Sequence, residues 1–210
     1  MSELRVCPSH PDLADDLATL QRLCFPTLGV AELITAAQFR HHLTVFPQGQ
    51  LVVLDSTDRP VASSSSCLHR SDFVHSQHTY MEASGQNWLS THTPDGDWLY
   101  GIDIGVHPDH RGKGLCRLLY SARKALARTL GKQGLVVAGM LKGFSKYRAH
   151  MTAEDYLHNV EIGAIFDPTV SVQLRQGLSV QGLLRHHIDD PTIDGMAARL
   201  IWYSDEASAI

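Results

Sequence analysis

The sequence predicts an α/β domain (α+β in a stricter scheme), with one mixed sheet and helices on both faces. Three observations carry this. Leu115, Leu118, Leu119, Ala122, Leu126 and Leu130 form one apolar stripe at helical spacing, with Arg117, Lys124 and Arg128 on another face. Leu135 to Ala138 is an apolar run without alternation, as in a strand covered on both faces. A strand over Trp98 to Val106 precedes the helix, so strand, helix and strand follow in order and imply a right-handed parallel crossover.

The other elements follow from local signals. Leu4 to Cys7 reads as a short first strand. Ser9-His-Pro-Asp supplies a cap and a first-turn proline, and Leu13, Leu17, Leu20 and Cys24 continue at helical spacing. Thr35 with Gln38 matches a capping box that opens a second helix through Phe39 and Leu43. Gln50 to Leu54 and Val61 to Leu68 flank the turn-rich Asp55 to Pro60 and read as a hairpin. The run Ser63 to Ser66 lies inside that apolar pattern, so it reads as a strand of small residues beneath a helix rather than a linker. Ser71 to Thr93 is polar and gives no clear element. Pro94-Asp95-Gly96 marks a turn before Trp98. Thr152 to Ile162 predicts an extra helix, Asp167-Pro168 caps another that ends at Gly177, and Ser179 to Leu184 and Ala197 to Tyr203 read as closing strands.

Composition narrows the function classes. The 210 residues are 43% hydrophobic and 19% charged, enough for one domain with a proper core, and no repeat or linker divides them. A net charge of -4 gives no global basic field to recruit nucleic acid or a membrane. The thirteen histidines are scattered and form no HExxH-type pair, so a metal site is not expected. Cys7, Cys24, Cys67 and Cys116 form no CxxC, and no stretch reaches the length of a membrane span. Without a signal-peptide pattern, the expectation is four reduced thiols in a cytoplasmic protein.

The chemistry concentrates where the Trp98 to Val106 strand meets the amphipathic helix. The loop between them reads His107-Pro-Asp-His-Arg-Gly-Lys-Gly114. The first amides of a helix lack internal partners, and the helix dipole favours an anion there. Gly112 and Gly114 let backbone approach a ligand, and Arg111 and Lys113 add positive charge, so the loop is suited to cradle a pyrophosphate. It is not a P-loop, since Gly114 follows Lys113 where Ser or Thr is needed. The third glycine of a dinucleotide fingerprint is also missing. This speaks against a GTP- or ATP-binding protein.

In wider context, Val106-x-Pro108-x-x-Arg111-Gly-x-Gly114-x-Cys116 resembles the signature of the GNAT acyltransferase superfamily, with Cys116 in the final small position. Phe25-Pro-Thr-Leu, Phe46-Pro-x-Gly-Gln50, Asp95-Gly-Asp-x-Leu-Tyr100 and Asp167-Pro with Gln173-Leu-Arg-x-Gly177 resemble one branch, in which this domain often precedes a carbon–nitrogen hydrolase domain. The resemblance covers nearly all of the chain. It implies a single GNAT domain over 1–210, elaborated by a helical insertion near 140–166. The implied sheet is mostly antiparallel, with a central splayed parallel pair.

The resemblance further implies an N-acyltransferase that moves an acetyl or other acyl group from acetyl-CoA to a primary amine by direct attack on the thioester. Ile104, Gly105 and Val106 would offer backbone to the pantetheine arm. Arg111, Gly112, Lys113, Gly114, Leu115 and Cys116 would hold the pyrophosphate, with Leu135 to Gly139 as the other lip of the splay. Asp103 is the expected base or substrate anchor, with Tyr100 and His92 as further candidates. Relatives often carry a tyrosine acid where this chain has Val172-Gln173-Leu174, leaving Tyr147 or Tyr156 as substitutes. The alternative is a non-catalytic acyl-CoA sensor. Cys116 at a helix start could be a nucleophile, but its expected place under the phosphates favours a space-filling role. Lys142, Phe144, Lys146, Tyr147 and Arg148 read as a substrate lip or nucleotide rim. The expected partner is a small amine or amino terminus, without nucleic acid, membrane or metal, and a homodimer is compatible with the sequence.

Overall fold

A computed structural model describes residues 4–204. Seven strands form one sheet in the order β1-β2-β3-β4-β5-β7-β6. They are β1 (Arg5–Pro8), β2 (Leu51–Leu54), β3 (Pro60–His69), β4 (Trp98–Val106), β5 (Gly134–Met140), β6 (Ser179–Leu184) and β7 (Ala197–Tyr203). Among the described residues only β4 and β5 run parallel; the other five pairings are antiparallel. The predicted mixed α/β class and the parallel crossover pair are both observed.

Alternation along the strands sorts the core into two sides. Leu99, Leu135 and Val137 pack with Tyr120 and Ala127 of α5 (Leu115–Thr129), with Tyr156, Leu157 and Val160 of α6 (Ala153–Glu161), and with Val170 of α7 (Val170–Leu174). Tyr100, Ile102, Val136 and Ile201 face the other way, against Val74 of α3 (Ser71–His75) and Tyr80 and Ala83 of α4 (Tyr80–Ser84). On that second side α1 (Ala14–Cys24) and α2 (Ala36–Val45) cover Val52 and Leu54 through Leu17, Leu20 and Phe39. The capping box Thr35–Gln38 is formed as its spacing predicts. Ser63 to Ser66 is indeed buried strand, each serine 4% exposed or less. The helix expected over 152–162 is α6, and its apolar face is part of the main core.

The stretch over 71–93 that gave no clear element holds α3 and α4, followed by a kinked turn. There Gln86, Asn87 and Leu89 sit at φ 59, 64 and 53. A left-handed conformation is costly for such residues and persists only where the surroundings over-determine it. Buried Asn87 accepts from Tyr80 Oη (2.7 Å) and donates to Ala31 O (3.0 Å), and its carbonyl meets His42 Nε2 (2.8 Å). The signal for α4 was present as the capping box Thr79–Glu82.

Two irregularities of the sheet create the site. β4 pairs with β5 only from Trp98↔Gly134 to Gly101↔Val137, although β4 continues to Val106 and β5 to Met140. Beyond that point β4 stays with β3 as far as Ala62↔Val106, and β5 stays with β7 as far as Met140↔Ala197. The two central strands therefore part in a wedge. The register of β3 on β4 also slips, from Ser65↔Asp103 to Ser66↔Gly101, so Ile102 is a bulge residue. Arg123 of α5, 1% exposed, pins the bulge by donating to Ser65 O (2.8 Å) and to Asp103 O. A Cβ at Gly101 would lie 2.8 Å from Arg123 Nη1 and 2.9 Å from Val137 Cγ1, so only glycine fits under the arginine.

Among the described residues four buried histidines make the fold sensitive to acid, and burial lowers the pKa of each, His69 included. Burial lowers the pKa of His42, His78 and His187 to about 4 each. Free histidine titrates near ~6.5. Between those values the unfolded chain binds protons that the folded chain refuses, so stability falls as pH drops through that window. Burial raises the pKa of Asp103 and Glu32, which act in the opposite sense but are fewer. Urea unfolding midpoints should accordingly decline from pH 7 to pH 4.5, and a midpoint that holds constant would contradict this accounting.

Candidate active site

The loop before α5 is shaped by two left-handed glycines, Gly112 at φ +74 and Gly114 at φ +80. Gly112 has no neighbour within 4 Å of a would-be Cβ, and Gly114 meets only the tip of Arg117 at 3.8 Å. Their backbone thus borders open space. The first helical bond runs from Leu118 N–H to Gly114 O (3.1 Å). The amides of residues 112–117 ahead of it have no acceptor among the described residues. Arg111 differs from expectation, because its amide is already bonded to Pro108 O (3.2 Å). Its exposed side chain reaches Val106 O through Nε (3.3 Å), so only the guanidinium is available to an anion. Lys113 is exposed beside it, Leu115 is buried and Cys116 is half-buried. Burial raises the Cys116 thiol pKa, with Arg123 opposing, so the helix start does not activate it as a nucleophile.

Ile104, Gly105 and Val106 are paired to β3 on one side and have no strand partner on the β5 side. The wedge opens into a cavity of about 120 Å³ that passes through the sheet. Gly101 to Ile104 and Val137, Ala138 and Met140 form its waist. Tyr120, Thr169 and Gln173 line it on the α5 side, and Glu32, Tyr80 and His187 on the opposite side.

Asp103 lies at the waist, where Oδ1 accepts from Ser65 N–H (2.8 Å) and Oδ2 from Gln21 Nε2 (2.5 Å). Burial raises its pKa, with Arg123 and these hydrogen bonds opposing. Tyr100 is not brought to the cavity. Its hydroxyl bonds His78 Nε2 (2.8 Å) inside the second core, and burial pushes its pKa well above the usual range. His92 is also elsewhere: its Nδ1 accepts from Leu68 N–H (3.1 Å) and its ring stacks on Phe46, which ends β3 neatly instead of leaving a free loop histidine. Tyr156 donates to Asp167 Oδ2 (2.8 Å), Tyr147 packs beside it, and neither lines the cavity. Lys142 is tied to Asp190 and Thr27.

Two tyrosines reach the cavity: Tyr80, whose hydroxyl donates to Asn87, and Tyr120, 1% exposed, on α5. The Tyr120 hydroxyl accepts from Gln173 Nε2 (3.0 Å), and its own proton has no acceptor among the described residues. Burial pushes its pKa up to about 12, so it stays protonated and can donate. Gln173 occupies the position where a family tyrosine was expected, and a Cβ at Gly139 would lie 2.1 Å from its Oε1. Sequence reasoning passed over Tyr120, Glu32 and His187. Among the described residues no group of three or more His, Cys, Asp or Glu could hold a metal ion, and no helix is long and apolar enough to cross a membrane.

Comparison with known proteins gives a consistent picture. Residues 15–142 match the model of the acetyltransferase (GNAT) family. The probable hydrolase YhcX of Bacillus subtilis is 31% identical over 91% of this chain but only 36% of its own length. The chain thus spans about a third of that relative. The uncharacterized N-acetyltransferase YkwB of the same organism is 28% identical over 83% of this chain and 77% of its own. Among solved structures, the GphF GNAT-like decarboxylase in complex with isobutyryl-CoA superposes with a TM-score of 0.83 at 22% identity, covering 96% of this chain and all (100%) of that one. The loading GNATL domain of CurA from Lyngbya majuscula gives 0.80 at 17% identity, covering 96% and 98%. With the family match extending over more than half of the chain, and with the wedge and the loop inside the matched region, the chain belongs to the GNAT acetyltransferase family.

Proposed function

We propose that this domain is an N-acyltransferase that moves an acetyl or other acyl group from its coenzyme A thioester to a primary amine. The observation that carries the reading is the cavity through the β4–β5 wedge with a protonated tyrosine in its wall, together with the row of unpartnered amides on the loop that follows β4. The amides of residues 112–116, with the side chains of Arg111 and Lys113, hold the diphosphate, because unpaired donors and the helix dipole both favour an anion. The free edge at Ile104, Gly105 and Val106 pairs with the amides of the pantetheine arm as an added strand would. The thioester then sits at the waist.

A neutral amine attacks the thioester carbonyl there; the C–N bond forms and the C–S bond breaks. The thiolate takes the Tyr120 hydroxyl proton. The surplus proton of the amine passes to the Asp103 carboxylate, whose raised pKa improves it as a base. Exchange with solvent returns both residues to their starting states. Tyr120→Phe should lower kcat by about 10- to 100-fold, at or below the low end of the usual range for a general acid because a thiolate leaves readily. CoA affinity should stay within about twofold. An unchanged kcat removes Tyr120 from the mechanism.

The reading is tested by release of free CoA from acetyl-CoA in the presence of primary amines. Binding without release across a broad set of amines would favour the alternative, a non-catalytic acyl-CoA sensor. A decarboxylase is a second reading, favoured by the overlap with GphF, a GNAT-like decarboxylase by its printed name. The chemistry of the cavity weighs against it. Two carboxylates in the cavity wall, Glu32 and Asp103, would repel a substrate carboxylate, against one cation, Arg123, which bonds two backbone carbonyls through Nη2 and keeps Nε and Nη1 without a partner among the described residues. Carbon dioxide release from malonyl-CoA distinguishes the two.

A further inference from the structure

We infer that the acyl acceptor is a small molecule with one primary ammonium, bound between Glu32 and His187 on the side of the sheet away from α5. This rests on the N-acyltransferase reading and assigns the acceptor half of the same cavity. His187 is 3% exposed, and its Nδ1 lies 2.8 Å from the carbonyl of His78. A carbonyl can only accept, so Nδ1 carries the proton and Nε2 is a bare acceptor. Nε2 has no partner among the described residues, and the side chain lines the cavity. Burial keeps the ring neutral, with its pKa lowered to about 4. Nε2 is not among the side-chain atoms sealed from solvent, and an unpaired acceptor on a cavity-lining residue calls for an N–H or O–H donor.

Glu32, 7% exposed, stands on the same side. Its Oε2 accepts from Asp189 N–H (2.7 Å), and its Oε1 has no protein donor among the described residues. Burial raises its pKa, so the ionised form gains from a cation brought alongside. Neither Lys142 nor Arg123 bonds it: Lys142 is engaged by Asp190 and Thr27, and Arg123 reaches from α5 to Ser65 O and Asp103 O through Nη2. Tyr80 offers only its ring, since its hydroxyl donates to Asn87. Phe25, Leu28 and Ile188 make the apolar part of this wall, and Gln21 there donates to Asp103. An ammonium has three donors and no acceptor, and fits a carboxylate beside an acceptor-only imidazole. It passes one proton to the Glu32 carboxylate, which exchanges it with solvent, and the neutral amine so formed attacks the thioester and gives its second proton to Asp103.

The limit on size comes from a strap. Gly29 N–H bonds Asp189 O (3.0 Å), Asp189 N–H bonds Glu32, and Thr27 Oγ1 bonds Asp190 Oδ2 (2.7 Å). Residues 27–32 and 187–190 are thereby laced together along this side of the cavity, and an extended polypeptide would have to part them.

The experiment compares propylamine, ethanolamine and tyramine with a tetra-alanine peptide as acceptors for acetyl-CoA, in the full chain and in Glu32→Gln. The small amines should be acetylated with a kcat/KM at least tenfold above the peptide. Glu32→Gln, which keeps the acceptor for Asp189 N–H, should raise amine KM at least tenfold while CoA affinity by calorimetry stays unchanged. With the unaltered protein, propanol should compete with propylamine at least tenfold more weakly than a second amine does, a comparison that survives if the variant fails to fold. Preference for the peptide, an unmoved KM, or equal competition by the alcohol overturns the inference while N-acyl transfer stands. Absence of CoA release with every acceptor, despite CoA binding, brings down the N-acyltransferase reading and this inference together.

Discussion

Gly114→Glu is expected to weaken CoA binding by at least about 100-fold. At φ +80 any side chain costs roughly 1–2 kcal/mol, because Cβ crowds the following carbonyl. The new carboxylate would extend into the open space that the diphosphate is proposed to fill. Two like charges ~5 Å apart repel by about 3 kcal/mol at an effective dielectric of ~20, and roughly 1.4 kcal/mol is a tenfold change in affinity. Gly131→Glu is the control. Gly131 also has a positive φ (62) and open space around its Cβ position, but it lies past the other end of α5. Both variants should lose similar thermal stability, and only Gly114→Glu should lose CoA in calorimetry. Equal affinity in the two would remove the cradle from residues 112–116.

The contrast between these two glycines also marks what could be read in the sequence. Elements with strong local chemistry were legible: the Thr35–Gln38 capping box, the hairpin around Asp55 to Pro60, the stripe of α5 and the glycine pair before it. The buried serines of β3 were legible too, because they sit inside an apolar pattern. The site itself was half legible. The end proposed to hold the cofactor is one continuous segment, whereas the cavity wall is assembled from Glu32, Tyr80, Tyr120, Gln173 and His187, which only tertiary packing brings together. Tyr120 follows Leu119 in the stripe and reads as one more core residue; its missing acceptor shows only when Gln173 is beside it. Tyr100 misled for the opposite reason. Strand alternation puts neighbouring residues on opposite faces, and the bulge at Ile102 changes that alternation just before Asp103. A slip of register leaves no mark in composition or spacing, so which of Tyr100 and Asp103 reaches the cavity could not be read in advance.

Asp167→Ala should be the most destabilising single substitution considered, by about 4 kcal/mol or more. Asp167 is fully buried (0% exposed) and accepts four hydrogen bonds. Oδ1 takes Thr169 N–H (2.7 Å) and Val170 N–H (2.9 Å), capping α7; Oδ2 takes Gly143 N–H (2.8 Å) and Tyr156 Oη (2.8 Å). One carboxylate therefore joins the start of α7, the turn after β5 and the inner face of α6. Removing it orphans four donors in the core, and each buried unsatisfied group costs roughly 1–3 kcal/mol before relaxation. Domains of this kind have about 5–15 kcal/mol of stability in total, so the variant should unfold at a much lower urea concentration. Asp167→Asn keeps one carbonyl oxygen but turns an N–H pair towards other donors, and should recover no more than about half of the loss. A fall of less than about 1 kcal/mol in Asp167→Ala would mean that water enters and replaces the carboxylate. The consequence for the site follows from position: α7 carries Gln173, which holds the Tyr120 hydroxyl. In any folded fraction of the variant, acyl transfer should decline before CoA binding does, since the amides of residues 112–116 do not depend on this joint.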